Sequence, residues 1–166
     1  MSPVLVGAGQ EGGRRPGTEN VAAIAALGEA CRLAGLRLEA EGKRLAALSE
    51  ELFERLAREV PGLQLVGDGT ERLPSTVNVL FPGVSGRRLL EACPRVQAST
   101  GSACHADLET PSAILGAIGI PDKPALGAVR LSLGRTTTLE DVVEAAPSLA
   151  AAWHLSARRA ARALTA

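Results

Sequence analysis

Three segments of the chain carry residues whose types and spacing could do chemistry. Cys104 follows the small residues Ser99-Thr100-Gly101-Ser102-Ala103 and precedes His105. Small neighbours leave a sulfur accessible, and a nearby imidazolium favours the thiolate, which is the nucleophilic form of cysteine. A lone cysteine is more often a buried small hydrophobe, and His105 by itself does not decide between the two. Arg130 lies on the polar side of the run Val129-Arg130-Leu131-Ser132-Leu133. Its planar fork could grip a carboxylate through two hydrogen bonds, although an ion pair with one of the chain's own acids would explain it as well. Residues 7–17 hold five glycines, Pro16 and the Arg14-Arg15 pair, and end at Gly17-Thr18 ahead of a helical pattern. Backbone N–H groups, a helix dipole and the Thr18 hydroxyl could serve a phosphate there. The pattern matches neither the dinucleotide fingerprint nor the Walker loop, and a helix cap at Thr18 is an equally good use of the residue.

The elements that must position these residues follow from periodicity. From Glu19 to about Val60 the apolar residues Val21, Ile24, Leu27, Cys31, Leu38, Leu45, Leu48, Leu52 and Leu56 recur at mostly three- or four-residue steps, which predicts a long helix ended by Pro61-Gly62. Gly35 or Gly42 should break it. Residues 63–66 and 76–81 read as strands, Ser85 caps a short helix through Ala92, and residues 96–99 form another brief strand. A helical turn or two is expected around 111–118, and Ile120-Pro121-Asp122-Lys123-Pro124 reads as a loop. Residues 128–133 alternate as a half-buried strand does. Thr138 then opens a helix with Glu140 and Asp141 in its first turn, where the dipole favours anions. Pro147 should kink or end it. The tail from Trp153 is expected to be helical and poorly anchored. The result is an α+β domain with a long helix and a small mixed, partly antiparallel sheet, without internal repeats.

Composition narrows the field of functions. At 166 residues and 46% hydrophobic the chain can bury one core, and with aromatics at 2% that core must be Ala, Leu, Val and Ile. So few aromatics leave no platforms for stacking nucleic-acid bases. Eighteen basic residues balance eighteen acidic ones, so no net field draws a polyanion or a membrane surface. Cys31, Cys93 and Cys104 are irregularly spaced with no CxxC pair, which suggests neither a disulfide framework nor a metal site. Cys31, on the apolar side of the long helix, and Cys93, before Pro94, read as structural. The first ten residues lack a basic region followed by an apolar core, and no run of about 18 apolar residues occurs, so a cytoplasmic location is expected.

Taken together, the segments are more specific than any one alone. Gly9-Gln10-Glu11-Gly12-Gly13-Arg14-Arg15-Pro16-Gly17-Thr18-Glu19-Asn20-Val21, then Leu73-Pro74-Ser75-Thr76-Val77-Asn78, then residues 99–105, then Val129-Arg130-Leu131-Ser132-Leu133-Gly134-Arg135 occur in this order. Their order and spacing resemble the cysteine desulfurase and selenocysteine lyase family, whose members depend on pyridoxal 5'-phosphate (PLP). The resemblance runs from about Gly7 to Val143. It implies the small carboxyl-terminal domain of an aminotransferase-like (fold type I) enzyme, with residues 1–18 as a dimer and cofactor-phosphate loop, 19–152 as the small domain with a catalytic loop at 99–110, and 153–166 as a tail. It further implies that Cys104 takes sulfur from L-cysteine, leaving L-alanine and a persulfide, that Arg130 binds the substrate carboxylate, and that Thr18 reaches the cofactor phosphate of a partner subunit. A homodimer or pairing with an amino-terminal half, a sulfur-acceptor protein and a place in iron–sulfur cluster assembly are the implied partners and setting. The only lysines, Lys43 and Lys123, do not match the family's cofactor lysine. The isolated chain is therefore expected not to hold PLP covalently and to be inactive alone. A selenocysteine lyase fragment, or a non-catalytic sulfur carrier or partner module, are the alternatives.

Overall fold

The structure is a computed structural model that describes residues 2–67, 72–101 and 111–163. Two compact units meet within one helix, the first ending at Glu39 and the second beginning at Ala40.

In the first unit a loop leads through a 3-10 turn at Gln10–Gly13 into helix α1 (Val21–Glu59). Glu11, Gly12, Gly13 and Gly17 all have positive φ, between 51° and 100°. Left-handed backbone costs a non-glycine residue roughly 1–2 kcal/mol, which is why three of these four positions are glycine. The cap of α1 is Asn20 rather than Thr18: its side-chain oxygen accepts the Ala23 N–H at 3.0 Å. Glycine breaks no helix here, because α1 runs unbroken through Gly35 and Gly42. A glycine in a helix costs only about 1 kcal/mol relative to alanine, which the flanking turns absorb. The expected apolar stripe divides along its length. Leu52 and Leu56 are buried, whereas Val21, Ile24, Leu27 and Leu38 are exposed. Cys31, expected on a packed face, is exposed as well. Among the described residues, the first unit contains no second long element to cover that face.

The second unit is built on a three-stranded sheet in the order β1 (Gln64–Leu65), β2 (Thr76–Leu80), β3 (Ala128–Ser132). Both pairings are antiparallel, a more uniform arrangement than the mixed sheet expected. Between β2 and β3 lie α2 (Gly86–Glu91), α3 (Ala113–Ala117) and α4 (Asp122–Ala125), and α5 (Leu139–Ala163) follows. The segment read as a loop at 120–124 thus closes one helical turn, with Pro121 ahead of its first position. Ser85 caps α2 by accepting the Arg88 N–H.

Alternation sorts the sheet into two faces. Val77 and Val79 on β2 and Val129 and Leu131 on β3 pack with Leu52, Leu56 and Val60 and with Val142, Ala146, Leu149 and Ala150 of α5. This is the main core. On the opposite face, among the described residues, one end is covered: Leu80 and Ala128 pack with Leu115 and Ala125 of the short helices. The other end of that face carries Thr76, Asn78, Arg130 and Ser132, half-buried or exposed.

Two glycines permit close approaches that fix the frame. A Cβ on Gly86 would run into the Ala128 carbonyl oxygen, and one on Gly127 into the Phe81 carbonyl oxygen. Phe81 donates its N–H to the Gly127 carbonyl at 2.9 Å, so the backbones touch at that point.

Helix α5 passes through Pro147 without ending. Proline removes the hydrogen bond to the Val143 carbonyl, but Pro147 lies on the solvent side, where that carbonyl can be hydrated, while Val142, Ala146 and Leu149 hold the other side in the core. Thr138 and Asp141 form a reciprocal cap at the start of α5, the Asp141 N–H donating to the Thr138 hydroxyl at 3.2 Å and the Thr138 N–H to the Asp141 carboxylate at 2.8 Å. The tail is better tied than its composition suggested, since the Trp153 indole N–H donates to the Pro82 carbonyl at 2.9 Å and Ala157 packs on the core. No helix among the described residues is long and apolar enough to cross a membrane.

Candidate active site

The second unit brings two of the sequence-predicted segments together at the edge of β3. Ser99, the first residue of the small-residue loop, bridges Arg130: the Arg130 N–H donates to the Ser99 carbonyl at 2.7 Å, and the Ser99 N–H to the Arg130 carbonyl at 3.3 Å. The brief strand expected at 96–99 is reduced to this single bridge. Gly101, at φ 111°, then turns the chain away, with its N–H donating to the Ser99 hydroxyl at 3.1 Å. A β-branched or bulky residue would resist that backbone. Cys104 and His105 lie outside the described residues.

Arg130 itself stands in the middle of β3, between buried Val129 and buried Leu131, with its side chain on the exposed face. Among the described residues no carboxylate pairs with it. Ion pairs engage Arg32, Arg44, Arg55, Arg58, Arg87 and Arg95 instead. An arginine held on a strand with no counter-ion among the described residues can receive an external anion. Opposite Arg130 on β2 stands Asn78. The motif that contains Asn78 was visible in the sequence, yet only the pairing register assigns it to the same patch.

The turn after β3 is fixed from a distance. Arg44, on the second half of α1, donates to the Thr137 carbonyl at 2.7 Å, to the Arg135 carbonyl at 3.0 Å and to the Gly134 carbonyl at 3.3 Å. Three carbonyls on one guanidinium hold the turn that ends β3. No residue pattern signals it, because the contacts span some ninety residues and end on backbone atoms.

Thr18 belongs to the first unit, where it is exposed and makes no side-chain hydrogen bond among the described residues. It follows Gly17, at φ 100°, in a loop whose carbonyl at Gly17 is occupied by the Arg15 guanidinium at 3.2 Å. A free hydroxyl donor beside open backbone fits one edge of a phosphate, so the residues present suit the phosphate end of PLP. Lys43 lies on α1 and Lys123 on α4.

The other cysteines contrast with each other. Cys93 is 3% exposed, and burial pushes its thiol above the ordinary range, so it is a protonated core residue. Cys31 is open to solvent. Among the described residues no cluster of His, Cys, Asp and Glu could hold a metal ion.

Comparison with known proteins agrees with this geometry. The family model for aminotransferase class-V matches residues 6–144. A selenocysteine lyase of Xenopus laevis is 43% identical over 148 residues, a match covering 86% of this chain and 35% of that protein. The cysteine desulfurase IscS of Methanosarcina thermophila is 42% identical over 144 residues, again covering 86% of this chain and 35% of the relative. Among solved structures, a NifS-like protein superposes with a TM-score of 0.78 at 26% identity, covering 93% of this chain and 40% of the other. The chain therefore spans about a third of the length of the curated relatives it matches.

Proposed function

The chain belongs to the aminotransferase class-V family, and on that premise we propose that it is the carboxyl-terminal portion of a PLP-dependent cysteine desulfurase that receives sulfur on Cys104. The observation that carries this reading is the Ser99–Arg130 bridge, which ties the start of the cysteine loop to the strand bearing Arg130. Cys104 lies five positions beyond Ser99, a length of chain that spans at most about 18 Å when extended.

In this reading Arg130 takes the α-carboxylate of L-cysteine in a two-pronged hydrogen-bonded pair and so orients the substrate. The Cys104 thiolate attacks the substrate sulfur. A sulfur–sulfur bond forms as the substrate's carbon–sulfur bond breaks, and the electron pair of that bond stays on the carbon, which gains a proton to give L-alanine. Cys104 is left as a persulfide whose outer sulfur is passed to an acceptor thiol. The small residues at 99–103 leave room for the nucleophile, and His105 favours its thiolate. Thr18 donates its hydroxyl to the phosphate of PLP held with a second subunit. When bound, PLP supplies the electron sink that makes the substrate's carbon–sulfur bond labile. The lysine that holds PLP is contributed by residues outside this sequence, with residues 1–18 serving as the subunit-facing loop and 19–152 as the domain that carries the nucleophile.

Selenocysteine is the second substrate to be weighed, because a selenocysteine lyase is as similar to the chain as the desulfurase is. Both readings use Cys104, Arg130 and Thr18 alike. The test combines this chain with a PLP-loaded amino-terminal portion carrying the cofactor lysine and measures alanine released from L-cysteine and from L-selenocysteine. Alanine from cysteine that disappears in Cys104→Ala supports desulfurase action. Release from selenocysteine alone assigns the lyase, and undiminished cysteine turnover in Cys104→Ala contradicts the mechanism.

A further inference from the structure

Strand β2 presents to Arg130 a polar neighbour that the mechanism above does not use. Thr76, Asn78, Arg130 and Ser132 share the open end of one sheet face, with Thr76 opposite Ser132 and Asn78 opposite Arg130. Hydrogen-bond parity places the last two residues side by side. Arg130 spends its backbone N–H and carbonyl on Ser99, away from β2, and the Asn78 carbonyl accepts the Val66 N–H at 2.8 Å, on the β1 side. Asn78 and Arg130 therefore form a non-hydrogen-bonded cross-strand pair, the closer of the two kinds, with Cα atoms about 4.5 Å apart and side chains projecting together. Neither side chain has a hydrogen-bond or ion-pair partner among the described residues, although Asn78 is half-buried. Its amide is therefore free to meet a ligand that Arg130 also contacts.

The chemistry of the pair selects that ligand. The guanidinium is a donor only, so it cannot satisfy the amide NH2, and it competes with that group for the same acceptors. A carboxylate satisfies both, because its two oxygens offer about four lone-pair directions. We infer that Asn78 is a second substrate-contacting residue, whose side-chain NH2 donates to the carboxylate that Arg130 binds. The inference rests on the assignment of Arg130 to the substrate carboxylate and adds a residue to that site. It also explains why an amide suits the position. An aspartate there would pair with Arg130 and close the site, and an aliphatic residue would leave the carboxylate with the two hydrogen bonds of Arg130 alone.

The test uses this chain, labelled with nitrogen-15 and combined with the PLP-loaded amino-terminal portion, with L-alanine as the carboxylate probe and L-alaninamide as the control lacking the charge. The expected result is that the Asn78 side-chain NH2 and Arg130 Nε–H resonances shift along one common saturation curve with alanine and remain still with alaninamide. Asn78→Ala should raise the apparent Kd about tenfold, the loss of one hydrogen bond to a charged group, and Asn78→Asp should raise it further. If Arg130→Ala abolishes the shifts while both Asn78 variants bind within twofold of the parent, Arg130 keeps its role and the inference about Asn78 is overturned. If Arg130→Ala leaves binding unchanged, or the parent shows no saturable shift, the assignment of Arg130 fails and takes Asn78 with it. The parent's Asn78 resonance is an independent readout should either variant fold poorly.

Discussion

Ser99 and Arg130 exchange both of their backbone hydrogen bonds across the edge of β3. The bridge is isolated, so the edge strand it implies ends at once and the chain leaves for the cysteine loop. The bridge fixes the origin of that loop beside the residue proposed to bind substrate. Replacing Ser99 by proline removes the N–H that reaches Arg130. We expect Ser99→Pro to lower desulfurase turnover in the reconstituted enzyme at least tenfold while the urea midpoint moves little, because the core lies on the other face of the sheet. A matching loss of global stability would mean that the bridge serves the fold instead.

Arg44 should matter to stability well beyond the value of a surface charge. It satisfies three carbonyls of the 134–137 turn, of which the bond to Thr137 is part-buried, and truncation removes all three bonds at once. Arg44→Ala is expected to cost about 1–3 kcal/mol in urea unfolding. Arg44→Lys should restore only part of this, since one ammonium cannot reproduce the geometry of the fork.

The close backbone contact at Gly127 predicts a larger effect. A methyl group there meets the Phe81 carbonyl oxygen, which is itself held by the sheet, so the backbone must shift. Gly127→Ala should destabilise the domain by about 2–4 kcal/mol, within the range of overpacked cores. Gly42→Ala, on α1 where a Cβ meets nothing, should leave stability unchanged or raise it by up to about 1 kcal/mol.

The cysteines should separate by alkylation. Burial pushes the Cys93 thiol upward, so the folded state favours its protonated form. Below the ordinary thiol pKa of about 8.5 the folded and unfolded states are both protonated. Above it the unfolded state ionises first, so stability falls as pH rises. Iodoacetamide at pH 8 should modify exposed Cys31 while Cys93 stays protected until urea unfolds the chain. Prompt labelling of Cys93 in the folded protein would contradict the packing described.

The sequence revealed the parts whose signals are local. Alternation gave β3 and the outward placement of Arg130, and the helical period gave α1 and α5. Thr138 was read as the start of a helix that it does cap. What escaped depends on distant partners. Whether Gly35 interrupts its helix is decided by the flanking turns and whether Pro147 does by which side meets the core, and whether Ile24 and Cys31 are covered depends on surfaces the helical period does not name. Asn20 took the cap expected of Thr18 because the helix begins two residues later than the glycines suggested. The link between Asn78 and Arg130 needed a register, and the Arg44 clamp ends on backbone carbonyls that carry no residue-type signature. Cys104 was located by its loop composition and by resemblance, and its surroundings lie outside the described residues.

The most direct measurement of the central claim is mass-spectrometric mapping of persulfide on this chain, reconstituted with a PLP-loaded amino-terminal portion and given L-cysteine. The account predicts a mass increase of one sulfur on Cys104, lost in Cys104→Ala and strongly reduced in Arg130→Ala, with Cys31 and Cys93 unmodified. Sulfur appearing on Cys31 or Cys93 as readily as on Cys104 would contradict it.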